Sequence, residues 1–245
     1  QVNNFPTMFG FADGGQNYRT YQNEEHFIYI YPFVPYQFDL FQSAIQNLSK
    51  HEAFEGKHSS VGERSMLGVF HQVLKYIKNH EVGQLATFDL MFAGIASALQ
   101  TRIQHPIIEA KRIWKADDAF QIRLLKALLL VKYIKNFKAS VHNLSILMLE
   151  RFDQPIGELK EKVERTLEQL EKNVFVERQG DFYSCLTDEE KDIEQEIKNT
   201  DVDFSELVEE YEKAIFEQII GARKIRYDLN GVTYDYAFSR YIDNK

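Results

Sequence analysis

Between Ala119 and Leu186 the chain carries its most restrictive pattern. Three stretches of helical apolar spacing are followed by two short strand-like runs around a polar turn. The spacing predicts helices over about 119–135, over His142–Glu150, and from Pro155, a favoured first helical position, to about Lys172. Residues 174–186 then read as the two strands. Three helices followed by a hairpin is the order of a winged helix; a plain helical bundle with a hairpin is the competing arrangement. Thr187-Asp188-Glu189-Glu190 caps a further acidic helix to about Asn199.

The flanking segments are helical too. Residues 1–30 are aromatic and irregular: Phe9-Gly10-Phe11 and Gly14-Gly15 read as loop, and Phe27–Ile30 as a short strand. Pro32 and Pro35 fix the backbone at two points and disfavour helix just before each. A helix is expected from Tyr36 to Leu48, with Phe38, Phe41, Ile45 and Leu48 on its apolar face. Residues 49–60 are polar and contain Gly56, so they form a loop in which Ser59 or Ser60 caps the next helix. That helix is predicted over Gly62–Lys78, burying Leu67, Phe70, Leu74 and Ile77. Another is predicted over Thr87–Ile103, broken by His105-Pro106, with a short helix to Lys115 and a joint at Ala116-Asp117-Asp118. A last helix covers about Phe204–Ile220. Residues 224–238 then alternate around Asn230-Gly231, the strongest short-range hairpin signal. A lone hairpin is marginal in water, so this one must dock, and it reads as the first half of a sheet completed elsewhere.

Composition narrows the function. The formal net charge is −8, whereas nucleic-acid-binding domains usually show a basic balance or stripe. DNA binding by this chain is therefore disfavoured. The third helix of the 119–186 unit would enter the major groove in a DNA-binding version. Its outward set here is Glu158, Lys160, Glu161, Lys162, Glu164, Arg165, Glu168 and Glu171, with Ile156, Leu159, Val163, Leu167 and Leu170 expected inward. Acids outnumber bases on that face, so contact with protein is the better reading. The more basic patch is Lys126, Lys132, Lys135 and Lys138 around the first helix. A single cysteine, Cys185, allows no internal disulfide and fits a reducing, cytoplasmic setting. No stretch is long and apolar enough to span a bilayer, and no membrane partner is expected. Gln1 at the start and Asn244-Lys245 at the end read as cuts within a longer chain.

Chemistry-bearing motifs are sparse. The sequence has no G-x-x-x-x-G-K-[ST] phosphate loop; Gly10–Gly15 is glycine-bearing but lacks the following Lys-Ser or Lys-Thr. No metal-ligand spacing is visible, the seven histidines are scattered, and no serine sits in G-x-S-x-G. Cys185, on a strand, reads as a small packing residue. One pair stands out: Glu63-Arg64 at a helix start. Glu63 would favour the positive end of the helix dipole. Arg64 is either a solvated surface charge or a guanidinium that reaches a nucleotide phosphate, a task suited to its permanent charge and bidentate geometry.

Tyr31-Pro32-x-x-Pro35, a spacer, then Glu63-Arg64-Ser65 with Leu67 and Phe70 after it resembles the BrxC-like P-loop ATPases of bacteriophage exclusion (BREX) defence systems. The three-helix-plus-hairpin unit and Leu186–Glu190 resemble them as well, so the likeness covers most of the chain. The resemblance implies a mainly α fold in three parts. These are a helical ATPase lid-like subdomain (1–116), a winged helix (117–200), and a truncated helix-plus-hairpin extension (201–245). It also implies a non-catalytic portion of a phage-defence ATPase, with ATP and magnesium as cofactors of the parent protein and none held by this chain. Arg64, with Glu63, would then be an arginine finger or nucleotide sensor. The partners implied are the rest of the ATPase core, other subunits of a defence complex, or a second copy. The competing class is a free-standing winged-helix regulatory protein with a helical dimerisation domain.

Overall fold

The computed structural model of the protein describes residues 8–12, 18–55, 63–200, 203–221 and 224–237, with the backbone alone for Glu63, Arg64, Ser65 and Lys198. The described residues are mainly helical, with two small antiparallel hairpins. They divide into two compact units, 1–195 and 196–245.

The first unit opens with α1 (Glu24–Ile30), where a strand was expected. Asn23 decides the outcome: its side chain accepts the His26 N–H at 2.8 Å, and Glu24 and Glu25 sit in the first turn, where acids suit the helix dipole. α2 (Tyr36–Lys50) follows the two prolines as expected. Phe41, Ile45 and Leu48 are buried on it, and Phe38 is half-buried.

α3 (Glu63–Ile77) is present, but its buried face is rotated from the predicted one. Leu67 is 74% exposed and Leu74 41%; the buried residues are Val69, Phe70, Val73 and Ile77. Gly94 makes room for one residue of the observed face. A Cβ at that position would lie 2.6 to 2.9 Å from the Val69 side chain, so the missing side chain lets Val69 seat there. The proposed caps Ser59 and Ser60 lie outside the described residues.

The helix expected over 87–103 is instead three short pieces: a 3₁₀ turn (Phe88–Met91), α4 (Phe92–Ile95) and a second 3₁₀ turn (Ala96–Ala98). The chain then extends at Leu99, which bridges Phe54, while the Gln100 N–H bonds the Ala53 carbonyl at 2.8 Å. The break therefore falls at 99–100, not at His105-Pro106. α5 (Thr101–Trp114) runs through Pro106. The proline costs one intrahelical hydrogen bond, and it is buried beside Ile103, Ile107 and Ala110.

The centre of this unit is α6 (Phe120–Val131). Ile122, Leu124, Leu125 and every residue from Ala127 to Val131 are buried, the mark of a helix enclosed all round. It packs against α2, the first 3₁₀ turn, α5, α7 (Val141–Leu147), α8 (Ile156–Lys172) and strand β2. β1 (Val176–Gln179) and β2 (Phe182–Cys185) pair antiparallel around Gly180. The Tyr183 N–H bonds the Ala139 carbonyl at 3.0 Å, tying the α6–α7 connection to the hairpin. On α8 the inward set is Leu159, Val163, Leu167 and Leu170 with Thr166; Ile156, expected inward, is exposed. α9 (Asp188–Asn199) opens with a reciprocal cap, in which Thr187 accepts the Glu190 N–H and Glu190 accepts the Thr187 N–H.

The second unit contains α10 (Phe204–Glu212), continued by a π-helical stretch over Lys213–Ile220, and a hairpin of β3 (Lys224–Leu229) and β4 (Val232–Ala237). Asn230 and Gly231 both have positive φ, as a two-residue hairpin turn requires. The register pairs Ile225 with Tyr236, Tyr227 with Tyr234 and Leu229 with Val232, all on one face. The opposite face pairs Arg226 with Asp235 at 3.1 Å. The apolar face is exposed, as are Phe204, Tyr211 and Ile219 on the helix.

Candidate functional site

Tyr31-Pro32-Phe33-Val34-Pro35 is a junction held by hydrogen bonds on both sides. The Tyr31–Pro32 peptide is cis. The Tyr31 hydroxyl accepts the Gly83 N–H at 2.8 Å, and the Pro32 carbonyl accepts the Ala86 N–H at 3.0 Å. Gln37, buried in the first turn of α2, closes the junction. Its Nε2 donates to the Ala86 carbonyl at 2.6 Å, and its Oε1 accepts the Val34 N–H at 3.0 Å. Tyr36 is fully buried and donates to the Ile146 carbonyl at 3.2 Å, linking α2 to α7. The segment thus sets the angle at which α2 leaves the chain.

Glu63 and Arg64 form the first turn of α3. Their side chains lie outside the described residues. At the other end of α3 a cleft of about 460 Å³ opens between that helix, the 3₁₀ turn at Phe88–Met91, the 117–118 joint and α6. Tyr76 and His80 flank it, their rings 5.7 Å apart.

The cleft's floor is an ionic cluster that no sequence motif announced. The Arg123 guanidinium, on α6, donates to Asp89 at 3.1 Å, to the Thr87 hydroxyl at 3.1 Å and to Glu150. The Asp89 carboxylate is only 2% exposed and the Arg123 side chain 19%, while Glu150 is 35% exposed. Burial works against the charge on Arg123, but Asp89 and Glu150 outweigh it and raise the guanidinium's pKa. The partners lie 27 to 36 residues from Arg123, Thr87 and Asp89 before it and Glu150 after it, so only the fold joins them. Lys126, one turn on, has its pKa pushed down by burial. The cluster ties α6 to the 3₁₀ turn and to the chain just after α7. It contains no nucleophile held by a base.

The remaining candidates have ordinary explanations. Cys185 is buried and its thiol is pushed up to about 12 by burial, which makes it an inert packing residue. Lys132, counted in the basic patch, is mostly buried and donates to the Cys185 carbonyl and to Glu190 at 2.8 Å. Lys138 lies over the Phe182 ring at 5.3 Å, and Lys162 over Phe120 at 4.1 Å. The acids Glu158, Glu161, Glu164 and Glu168 are exposed on α8. Among the described residues no helix is long and apolar enough to cross a membrane.

Residues 200–245 match the family described as BREX ATP-binding protein BrxC 4th domain with six-stranded beta sheet. The match covers about a fifth of the chain. It falls where the resemblance drew on no motif, and so supports that resemblance from an independent stretch. No solved structure matches the chain.

Proposed function

We propose that this chain is a non-catalytic portion of a BREX phage-defence ATPase, supplying a nucleotide-sensing arginine, Arg64, and surfaces for protein contact. The observation that carries this reading is the BrxC fourth-domain match at 200–245 in a sequence with no phosphate loop. ATP needs a backbone cradle for its β- and γ-phosphates. The residues present do not offer one, so ATP and magnesium belong to another part of the parent protein. Residues 117–200 act in this reading as a winged helix that contacts protein. The exposed glutamates of α8 would repel DNA phosphates, and two lysines of the basic patch are already engaged within the fold.

The second unit fits the same reading. The matched family has a six-stranded sheet, and the described residues of 200–245 provide two strands. Further strands of the parent domain would pair at the free edges of β3 or β4, and another layer of that domain would cover the apolar face formed by Ile225, Tyr227, Leu229, Val232, Tyr234 and Tyr236. Calorimetric titration of this chain with ATP and magnesium tests the proposal. We expect no saturable heat. Low-micromolar binding would mean that the chain holds a nucleotide site of its own.

A further inference from the structure

We propose that His105, Glu109 and Asp188 form a binding site for a divalent transition-metal ion of the zinc class, with Lys191 as its built-in competitor. His105 and Glu109 are four residues apart on α5, so their side chains share one face of the helix. Asp188 opens α9 and comes back over that face. One ligand atom from each of the three lies within 4.8 Å of the others, and His105 Nδ1 is 2.8 Å from Asp188 Oδ1. Ligands about 2.0–2.2 Å from a zinc ion stand between about 3 and 4 Å apart, so only small side-chain shifts are needed. The three side chains are between 31% and 39% exposed, which leaves a path for an ion and room for a water as fourth ligand.

The donor set selects the class of ion. One imidazole with two carboxylates suits zinc and its first-row neighbours; magnesium and calcium prefer all-oxygen shells. The two carboxylates also balance the ion's double charge. A cation already rests on part of this set: Lys191 Nζ is 2.6 Å from Glu109 Oε2. The same ammonium lies 4.3 Å from the Phe175 ring centre. It can leave Glu109 while keeping that cation–π contact. Metal and lysine therefore compete for one carboxylate, and the bound ion would fasten the first turn of α9 to α5. Sequence spacing does not reveal the site, because Asp188 lies far along the chain from the other two ligands.

The test is titration of the metal-free chain with zinc chloride, followed by calorimetry and thermal unfolding, with cobalt absorption as a reporter of tetrahedral geometry. We expect one strong site and a melting temperature raised by roughly 5–10 °C at zinc a hundredfold above Kd. His105→Ala and Glu109→Gln, each checked for native circular dichroism, abolish the site. Lys191→Met, which removes the competitor, tightens zinc binding by about tenfold or more, the factor that loss of one modest ion pair represents. Magnesium produces no shift. Absence of zinc binding overturns the proposal. So does zinc binding of wild-type strength in His105→Ala, or weaker binding in Lys191→Met.

Discussion

Replacing Arg123 by methionine removes the charge from the cleft floor while keeping much of the side chain's volume. It leaves Asp89, whose carboxylate is 2% exposed, without its ionic partner in the fold. Breaking a buried pair from one side costs about 3–5 kcal/mol, because the remaining charge stays desolvated. A chain of this length loses roughly 2–4 °C of melting temperature per kcal/mol, so Arg123→Met should unfold roughly 6–20 °C earlier than wild type. Glu150 is 35% exposed and shares its carboxylate with water. Glu150→Gln should therefore cost no more than about 1 kcal/mol. The double variant Arg123→Met/Asp89→Leu should recover most of the loss, since replacing both charges by apolar groups is often near neutral. Thermal melts and urea titrations followed by circular dichroism provide the readout. A shift below about 2 °C in Arg123→Met, or a double variant whose loss is the sum of two large single losses, would refute the view that Asp89 depends on Arg123.

Two further outcomes follow from the geometry. Gly94→Ala places a methyl group within 2.6 to 2.9 Å of Val69, so α3 must shift, and stability in urea should fall by about 1–3 kcal/mol. Random duplex DNA at low salt, followed by fluorescence anisotropy, should not bind with sub-micromolar affinity, because the α8 face offers phosphates more repulsion than attraction. Steeply salt-dependent binding abolished by replacing Lys160, Lys162 and Arg165 would reverse that reading.

The parts of the fold legible in the sequence are those where local pattern and tertiary demand agree. α8 shows this: Leu159, Val163, Leu167 and Leu170 recur at helical spacing and are buried as a stripe. So does the Asn230-Gly231 turn, whose two residues adopt the positive φ that their identities favour. Misreadings arose where a contact with a distant residue decided the outcome. On α3 the close approach of Val69 to Gly94 favours a face of Val69 and Val73, which apolar counting could not rank above Leu67 and Leu74. The bridge from Leu99 to Phe54 moved a helix break that Pro106 had seemed to mark. Phe27–Ile30 has strand-like composition, yet the Asn23 cap and two glutamates made it a helix. The ionic cluster was invisible for the same reason. Thr87, Asp89, Arg123 and Glu150 belong to no spacing motif and meet only through the packing of α6. Arg64 stands out by its place at a helix start, and its proposed role rests on the resemblance.

The proposed role for Arg64 is to act on a nucleotide held by another part of a parent ATPase. The direct measurement is ATP turnover by the full-length parent carrying Arg64→Ala, with Arg64→Lys alongside. An arginine that stabilises charge on the transferring phosphoryl group is worth on the order of a thousandfold or more in rate. A helix-start charge without buried contacts would be worth within about 0.5 kcal/mol in stability. The account predicts that Arg64→Ala loses turnover by that order with its melting temperature unchanged. Arg64→Lys should recover little, because a point charge cannot reproduce the bidentate fork. Wild-type turnover in Arg64→Ala would contradict the account and make Arg64 a solvated surface charge.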